Sequence, residues 1–201
     1  MYADGRGVTK DDNLAFQWYL KAAENGDADA QYNVGFMYRI GKGTAPSDDQ
    51  AFFWFQRAAE QSDVGAMYNL GVMCEEGRCL VGGKPDLTTA FAWYHRASNM
   101  GEPAAQYQLA RMYEEGKGIE PNIDLAVQLY ASAAEHGYSN AQYSLGDMLL
   151  NGRGGVEVDP VSGMKLLQEA AQAGHVEARE MLRRMSATRK PVVKPKAGTK
   201  S

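Results

Sequence analysis

The sequence is poor in the features that mark most functional classes. It has two cysteines, Cys74 and Cys79, too few for a disulfide scaffold and wrongly spaced for a zinc knuckle. No stretch approaches the roughly 18 uninterrupted apolar residues of a membrane span. The opening MYADGRGVTKDD contains no apolar leader, which leans the expectation toward a cytoplasmic protein. Histidine is scarce: His95 falls near the middle of a helix, and His136 and His175 at or just past helix ends. That spacing brings no three or four ligands within ~2–2.5 Å of one ion, and histidine near a helix C-terminus is explained by the helix dipole. No Ser-His-Asp or Cys-His arrangement is recognisable. Gly41-Lys42-Gly43 lacks the Gly-x-x-x-x-Gly-Lys-Ser/Thr spacing and the preceding strand of a phosphate loop, and reads as a turn. The adjacent acids Glu75-Glu76 and Glu114-Glu115 point about 100° apart on a helix, as solvated surface does. No catalytic residue, metal ligand or cofactor is expected.

Apolar material is sufficient. Hydrophobic residues make up 44% of 201 and charged residues 23%, enough for a sizeable core in a folded chain. The charge is uneven. From Ser186 onward the chain carries Arg189, Lys190, Lys194, Lys196 and Lys200 and no acid, so a net charge of −4 leaves −9 on the rest. So acidic a body is a poor surface for nucleic acid, whose binding depends on neutralising phosphates.

What the sequence has in abundance is self-similarity, at a period near 36. Ala30-Gln31-Tyr32 returns as Ala66-Met67-Tyr68, Ala105-Gln106-Tyr107 and Ala141-Gln142-Tyr143, with alanines 36, 39 and 36 residues apart. Seven residues past each alanine stands Met37, Met73, Met112 or Met148, and small pairs such as Val34-Gly35, Leu70-Gly71, Leu109-Ala110 and Leu145-Gly146 intervene. A second block recurs in step: Ala15-Phe16-x-Trp18, Ala51-Phe52-x-Trp54, Ala90-Phe91-x-Trp93, then Ala126-x-x-Leu129 and Gly163-x-x-Leu166. Gly26, Ser62, Gly101, Gly137 and Gly174 close these blocks.

Each block reads as a helix. Ala30, Val34, Gly35, Met37 and Tyr38 form one face of period 3.6, as do Ala51, Trp54, Phe55, Ala58 and Ala59. Glycine and alanine let two helices approach closely, with tryptophan and tyrosine filling the flanking gaps. A glycine after the alanine pair is a helix stop, and Pro103 and Pro160 fit a first turn. Neither helix of a pair buries its face alone, so neighbouring pairs must stack into an all-α solenoid.

The order Ala-x-Tyr-x-Leu-Gly-x-Met-Tyr-x-x-Gly-Lys-Gly, then Ala-x-x-Trp-Tyr-x-x-Ala-Ala-x-x-Gly, resembles the Sel-1-like repeat, a relative of the tetratricopeptide repeat. The resemblance covers residues 1 to about 185. It implies a right-handed superhelix of antiparallel helix pairs, serving as an adaptor for a protein or peptide held in its concave groove. It also supplies an alternative. Some cysteine-rich relatives are described as penicillin-hydrolysing secreted proteins, but those carry a cysteine pair in every repeat, whereas here one repeat alone has any. The adaptor, not the hydrolase, is the expectation.

The map that follows has a partial repeat at 1–27, repeats at 28–63, 64–102, 103–138 and 139–175, a capping helix at 176–186 and a disordered basic tail at 187–201. Met1-Tyr2 matches Met37-Tyr38 in register, so the chain begins inside a helix; a natural protein extending upstream would leave an exported form open. The loop from Gly77 to Leu87 is three residues longer than its counterparts and should bulge.

By the resemblance, first helices line the groove. The positions expected to point there are Tyr32, Asn33, Phe36 and Arg39; Tyr68, Asn69, Val72 and Glu75; Tyr107, Gln108, Arg111 and Glu114; Tyr143, Ser144 and Asp147. A carboxamide pairs with a peptide bond through donor and acceptor alike, and tyrosine adds rigid contact area; the competing reading makes the tyrosines inter-repeat packing. Arg6, Lys42, Arg78, Lys117 and Arg153 recur between loop glycines as a turn preference rather than an anion track. The tail, with Pro191 and Pro195, reads as a flexible end. Its alternatives are a basic arm for nucleic acid or an anionic surface, or a segment folding back onto the acidic body.

Overall fold

The computed structural model describes residues 11–79 and 83–188. The expectations for Met1-Tyr2, Arg6, the tail from residue 189 and part of the Gly77–Leu87 loop lie outside these residues.

Among the described residues there are ten α-helices and no strand. They are α1 (Asp12–Glu24), α2 (Ala28–Ile40), α3 (Asp48–Glu60), α4 (Val64–Glu75), α5 (Leu87–Asn99), α6 (Pro103–Glu115), α7 (Ile123–Glu135), α8 (Ser139–Asn151), α9 (Pro160–Gln172) and α10 (Val176–Thr188). Most start on a short polar side chain. Asp11, Asp27, Ser47, Asp63, Asp86, Asn122 and Asp159 each accept the backbone N–H of the residue three further on, satisfying donors that a first helical turn leaves open. Second helices of each pair stop at a left-handed residue: Gly26, Gly101, Gly137 and Gly174 have φ between +78° and +101°, and Ser62 stands at +69° in the same place. Serine there bears a strain that glycine avoids.

The chain divides into two compact units, 1–133 and 134–201. In the first, α2 lies chiefly against α3 and α4 against α5. Tyr94, Tyr130, Phe55, Leu70, Met73 and Met112 are its largest closed side chains, and burying one such group stabilises the fold by roughly 2–3 kcal/mol. Small residues set the helix spacing. A Cβ on Gly71 would stand 2.6 Å from the ring of Tyr94, and one on Gly35 would stand 2.9 Å from Phe55. In the second unit α8 lies against α9, where a Cβ on Gly146 would come 3.2 Å from Leu167. Leu167, Ala170 and Ala178 form the core between α9 and α10, with Leu150 and Met185 beside them.

Three details differ from the sequence reading. Trp54 does fill a gap, 6% exposed against Ala15, Phe16, Val34 and Met37, but Trp18 is 56% exposed. The wall that receives Trp54, made by α1 and α2, has no counterpart among described residues before α1. His175 does not sit at the closing end of a helix. It opens α10, its Nδ1 accepting the Ala178 N–H at 3.3 Å, so the helix-dipole explanation does not apply to it. Finally, α10 continues through Thr188.

Candidate partner-binding face

The first helices of the first unit, α2, α4 and α6, carry most of the positions expected to bind. Their tyrosines pack against the following second helix. Tyr32 lies 5.8 Å from Phe55, Tyr68 6.0 Å from Tyr94, and Tyr107 5.7 Å from Tyr130, centroid to centroid, at tilted angles. All three are half-buried. The carboxamides are partly spent. Asn33 donates to the Asp29 carbonyl at 2.7 Å. Asn69, 7% exposed, donates to the Gly65 carbonyl at 2.8 Å and accepts from Arg39 Nη1 at 2.6 Å. Gln108 accepts from Arg111, which also pairs with Glu115 at 3.2 Å. Phe36 is 40% exposed, with Ile40, one turn on, 52% exposed. Val72, one repeat along from Phe36, is half-buried.

The paired acids are not simply solvated surface. Glu75 accepts the Tyr94 hydroxyl at 2.9 Å and Glu114 accepts that of Tyr130 at 2.8 Å. Both phenols are closed to solvent, and a buried hydroxyl needs a partner. Burial and the adjacent Glu75 charge push the Tyr94 hydroxyl well above its ordinary pKa. The second acids serve elsewhere: Glu76 stands 3.6 Å from Arg39 and 3.4 Å from Arg78, and Glu115 3.0 Å from Lys117.

The loop bases are committed too. Lys42 reaches Asp12 at 3.5 Å, and Arg78 grips Asp48 through Nε and Nη2 at 2.9 and 2.6 Å. That fork raises the Arg78 pKa, chiefly through the hydrogen bond. Leu87 and Ile123 stand where a third and fourth aspartate would be, so Lys117 turns to Glu115 and Glu75, and Arg153 to Asp147 at 2.9 Å. These pairs are bridges within the fold.

Cys74 is wholly buried, and desolvation, with Cys79 next, pushes its thiol up, away from reactivity. Among the described residues, no three His, Cys, Asp or Glu side chains gather so as to hold a metal ion, and no helix is long and apolar enough to cross a membrane. In the second unit, Tyr143 stacks on His175, centroids 4.6 Å apart and rings 20° from parallel. Ser144 is buried, its carbonyl accepting from Arg153 at 3.2 Å, and Asp147 also accepts from Asn151 at 2.7 Å. Sequence reasoning missed Ile40 as an exposed neighbour of Phe36, although its i+4 spacing was available as a signal.

A family model for the Sel1 repeat matches residues 1–27, 28–63, 64–102, 103–138 and 139–175. The chain belongs to the Sel1 repeat family. Its fold class is therefore the helical-repeat solenoid, and Sel1 repeats are commonly protein-interaction scaffolds. Among solved structures it is similar to a Sel1 repeat protein from Oxalobacter formigenes, at 36% identity and a TM-score of 0.87 over 98% of this chain and 78% of that one. It is also similar to a protective antigen present in uropathogenic Escherichia coli strains displaying an SLR fold, at 28% identity and a TM-score of 0.80. That match takes in 94% of this chain and only 40% of the antigen. An immunity protein from Pseudomonas aeruginosa, 22% identical with a TM-score of 0.61 over 94% of this chain and 71% of its own, shares the fold. No curated protein matches.

Proposed function

We propose that this Sel1 repeat protein is a non-enzymatic adaptor, holding a protein or peptide on the first-helix face of α2, α4 and α6. The observation that carries this reading is the Phe36–Ile40 pair. Two large apolar side chains stand exposed one turn apart on helices whose other apolar groups are packed away. Between them in the chain stands Arg39, paired with Glu76 of α4, and further along the same series of first helices Arg111 pairs with Glu115. An apolar centre with a polar rim is the anatomy of a protein-binding patch. Asn33 has committed its Nδ2 to Asp29, which leaves Oδ1 to accept a partner's peptide N–H. Tyr32, Tyr68 and Tyr107 act from beneath, bracing the helices rather than gripping the ligand. Nothing in the chemistry of Cys74 favours hydrolysis: its thiol is closed to solvent and held protonated.

The test is affinity capture with the 201-residue chain as bait beside two surface variants. Phe36→Ser should lose the captured partner about tenfold or more, as a central aromatic anchor does. Phe53→Ser, which removes an exposed aromatic from second helix α3, should retain it. Both variants should keep the wild-type melting temperature within a degree or two, because exposed substitutions change stability by only about 0.5 kcal/mol. Loss on Phe53→Ser instead, or no specific partner at all, would overturn the proposal. So would turnover of a β-lactam abolished by one substitution.

A further inference from the structure

In the second unit, α8 and α10 leave between them a groove of about 460 Å³. Met181 and Met185 supply its apolar lining and Tyr143 a wall, while Asp147, Glu177 and Glu180 bring three carboxylates to it. Two of these have cations at hand: Asp147 pairs with Arg153 at 2.9 Å and Glu180 with Arg184 at 3.5 Å. Glu177 faces His175 Nδ1 at 3.3 Å. That nitrogen also accepts the Ala178 N–H.

We propose that this groove is the docking site of the chain's own basic segment, residues 189–200. The proposal goes beyond the adaptor reading and does not depend on it. Charge is the first argument. The segment holds Arg189, Lys190, Lys194, Lys196 and Lys200 without an acid, and the groove's three carboxylates outnumber the two arginines beside them, Arg153 and Arg184. Chemistry is the second. Lysine lays its methylene stem on apolar surface while its ammonium seeks a charge, and the methionines lie beside the carboxylates to meet both needs.

Reach is the third argument. The segment leaves α10 directly after Thr188, beside Met185 at the near end of the groove. Returning along α10 to Glu177 covers about 16 Å at 1.5 Å per residue. Twelve extended residues span up to about 40 Å.

The experiment is zero-length carbodiimide cross-linking of the full 201-residue chain at low ionic strength, read by mass spectrometry. Links from Lys190, Lys194 or Lys196 to Glu177, Glu180 or Asp147 should dominate. They should be independent of protein concentration and fall about tenfold at high salt, where charges are screened within a few Å. The Glu177→Gln/Glu180→Gln variant, altered only at exposed positions, should open the segment to trypsin after Arg189 and Lys196 several-fold faster than wild type. Links scattered over carboxylates elsewhere, or links that grow with concentration, would overturn the proposal. So would unchanged cleavage in the variant, or loss of the links when phosphatidylserine vesicles or duplex DNA are added at constant ionic strength.

Discussion

Tyr94 and Glu75 show how one buried hydroxyl dictates the residue facing it. Along the repeats the same two positions hold Arg39 with Phe55, Glu75 with Tyr94, Glu114 with Tyr130 and Leu150 with Leu167. Where the ring carries a hydroxyl the partner is an acid that accepts it; where it does not, Arg39 turns away to Asn69 and Glu76. Tyr94→Phe should therefore cost about 1.5–3 kcal/mol at neutral pH, the worth of a hydrogen bond to a charged acceptor, measured by urea unfolding. The pH dependence has a definite sign. Burial and Glu75 raise the folded-state pKa of Tyr94 above its usual 10, so its protonated form stabilises the fold fully below about pH 10. That contribution disappears as pH climbs through the folded value. Wild type should lose stability above pH 10 more steeply than Tyr94→Phe; parallel alkaline limbs would refute the assignment. Ser62 offers the opposite opportunity. Its φ of +69° costs a serine about 1 kcal/mol more than a glycine, so Ser62→Gly should raise the unfolding free energy by that amount.

At the scale of helices, spacing is governed by what lies beneath the aromatic. Gly71 lets the Tyr94 ring rest on the backbone of α4, and any Cβ would intrude to 2.6 Å. Ala110 occupies the equivalent position below Tyr130 and is itself buried, so the α6–α7 pair is built around a methyl group that the α4–α5 pair excludes. Gly71→Ala should cost about 1–3 kcal/mol, the usual penalty of overpacking a closed core. A thermal melt no lower than wild type would show that α4 and α5 can separate freely. The helices and their stops were legible because five copies of a weak pattern reinforce one another. What escaped reading was the neighbour across each gap. Lys42–Asp12, Arg78–Asp48, Arg39–Asn69 and Gln61–Gln31 all pair residues 30 apart. That offset exists only once the helices are stacked, and no helical periodicity contains it. The roles of Glu75 and Glu114 were hidden for the same reason, since their tyrosines lie 19 and 16 residues onward.

Across the whole molecule, sequence reasoning placed its candidate positions on the first helices by register alone, and register is silent about competition for side chains. Asn69 is used at both ends of its amide, and the loop bases are tied to acids of the fold. Phe36 and Ile40 stand out only when exposure is known. The net charge of −9 outside the tail was legible, but the meeting of Asp147, Glu177 and Glu180 along the α8–α10 groove was not.

The matched pairs also bear on how such a chain can change through duplication. Each lock closes inside one repeat: Glu75 and Tyr94 both fall within 64–102, and Glu114 and Tyr130 within 103–138. Gly71 travels with Tyr94, and Ala110 with Tyr130. A crossover at a repeat boundary, between residues 63 and 64 or 102 and 103, therefore copies lock and key together. One in the loop between the paired helices would set an arginine against a tyrosine, or a methyl group under a ring that needs bare backbone. Gene segments cut at those boundaries can be gained or lost with their interiors intact, so the chain can lengthen or shorten by whole repeats without redesigning its core.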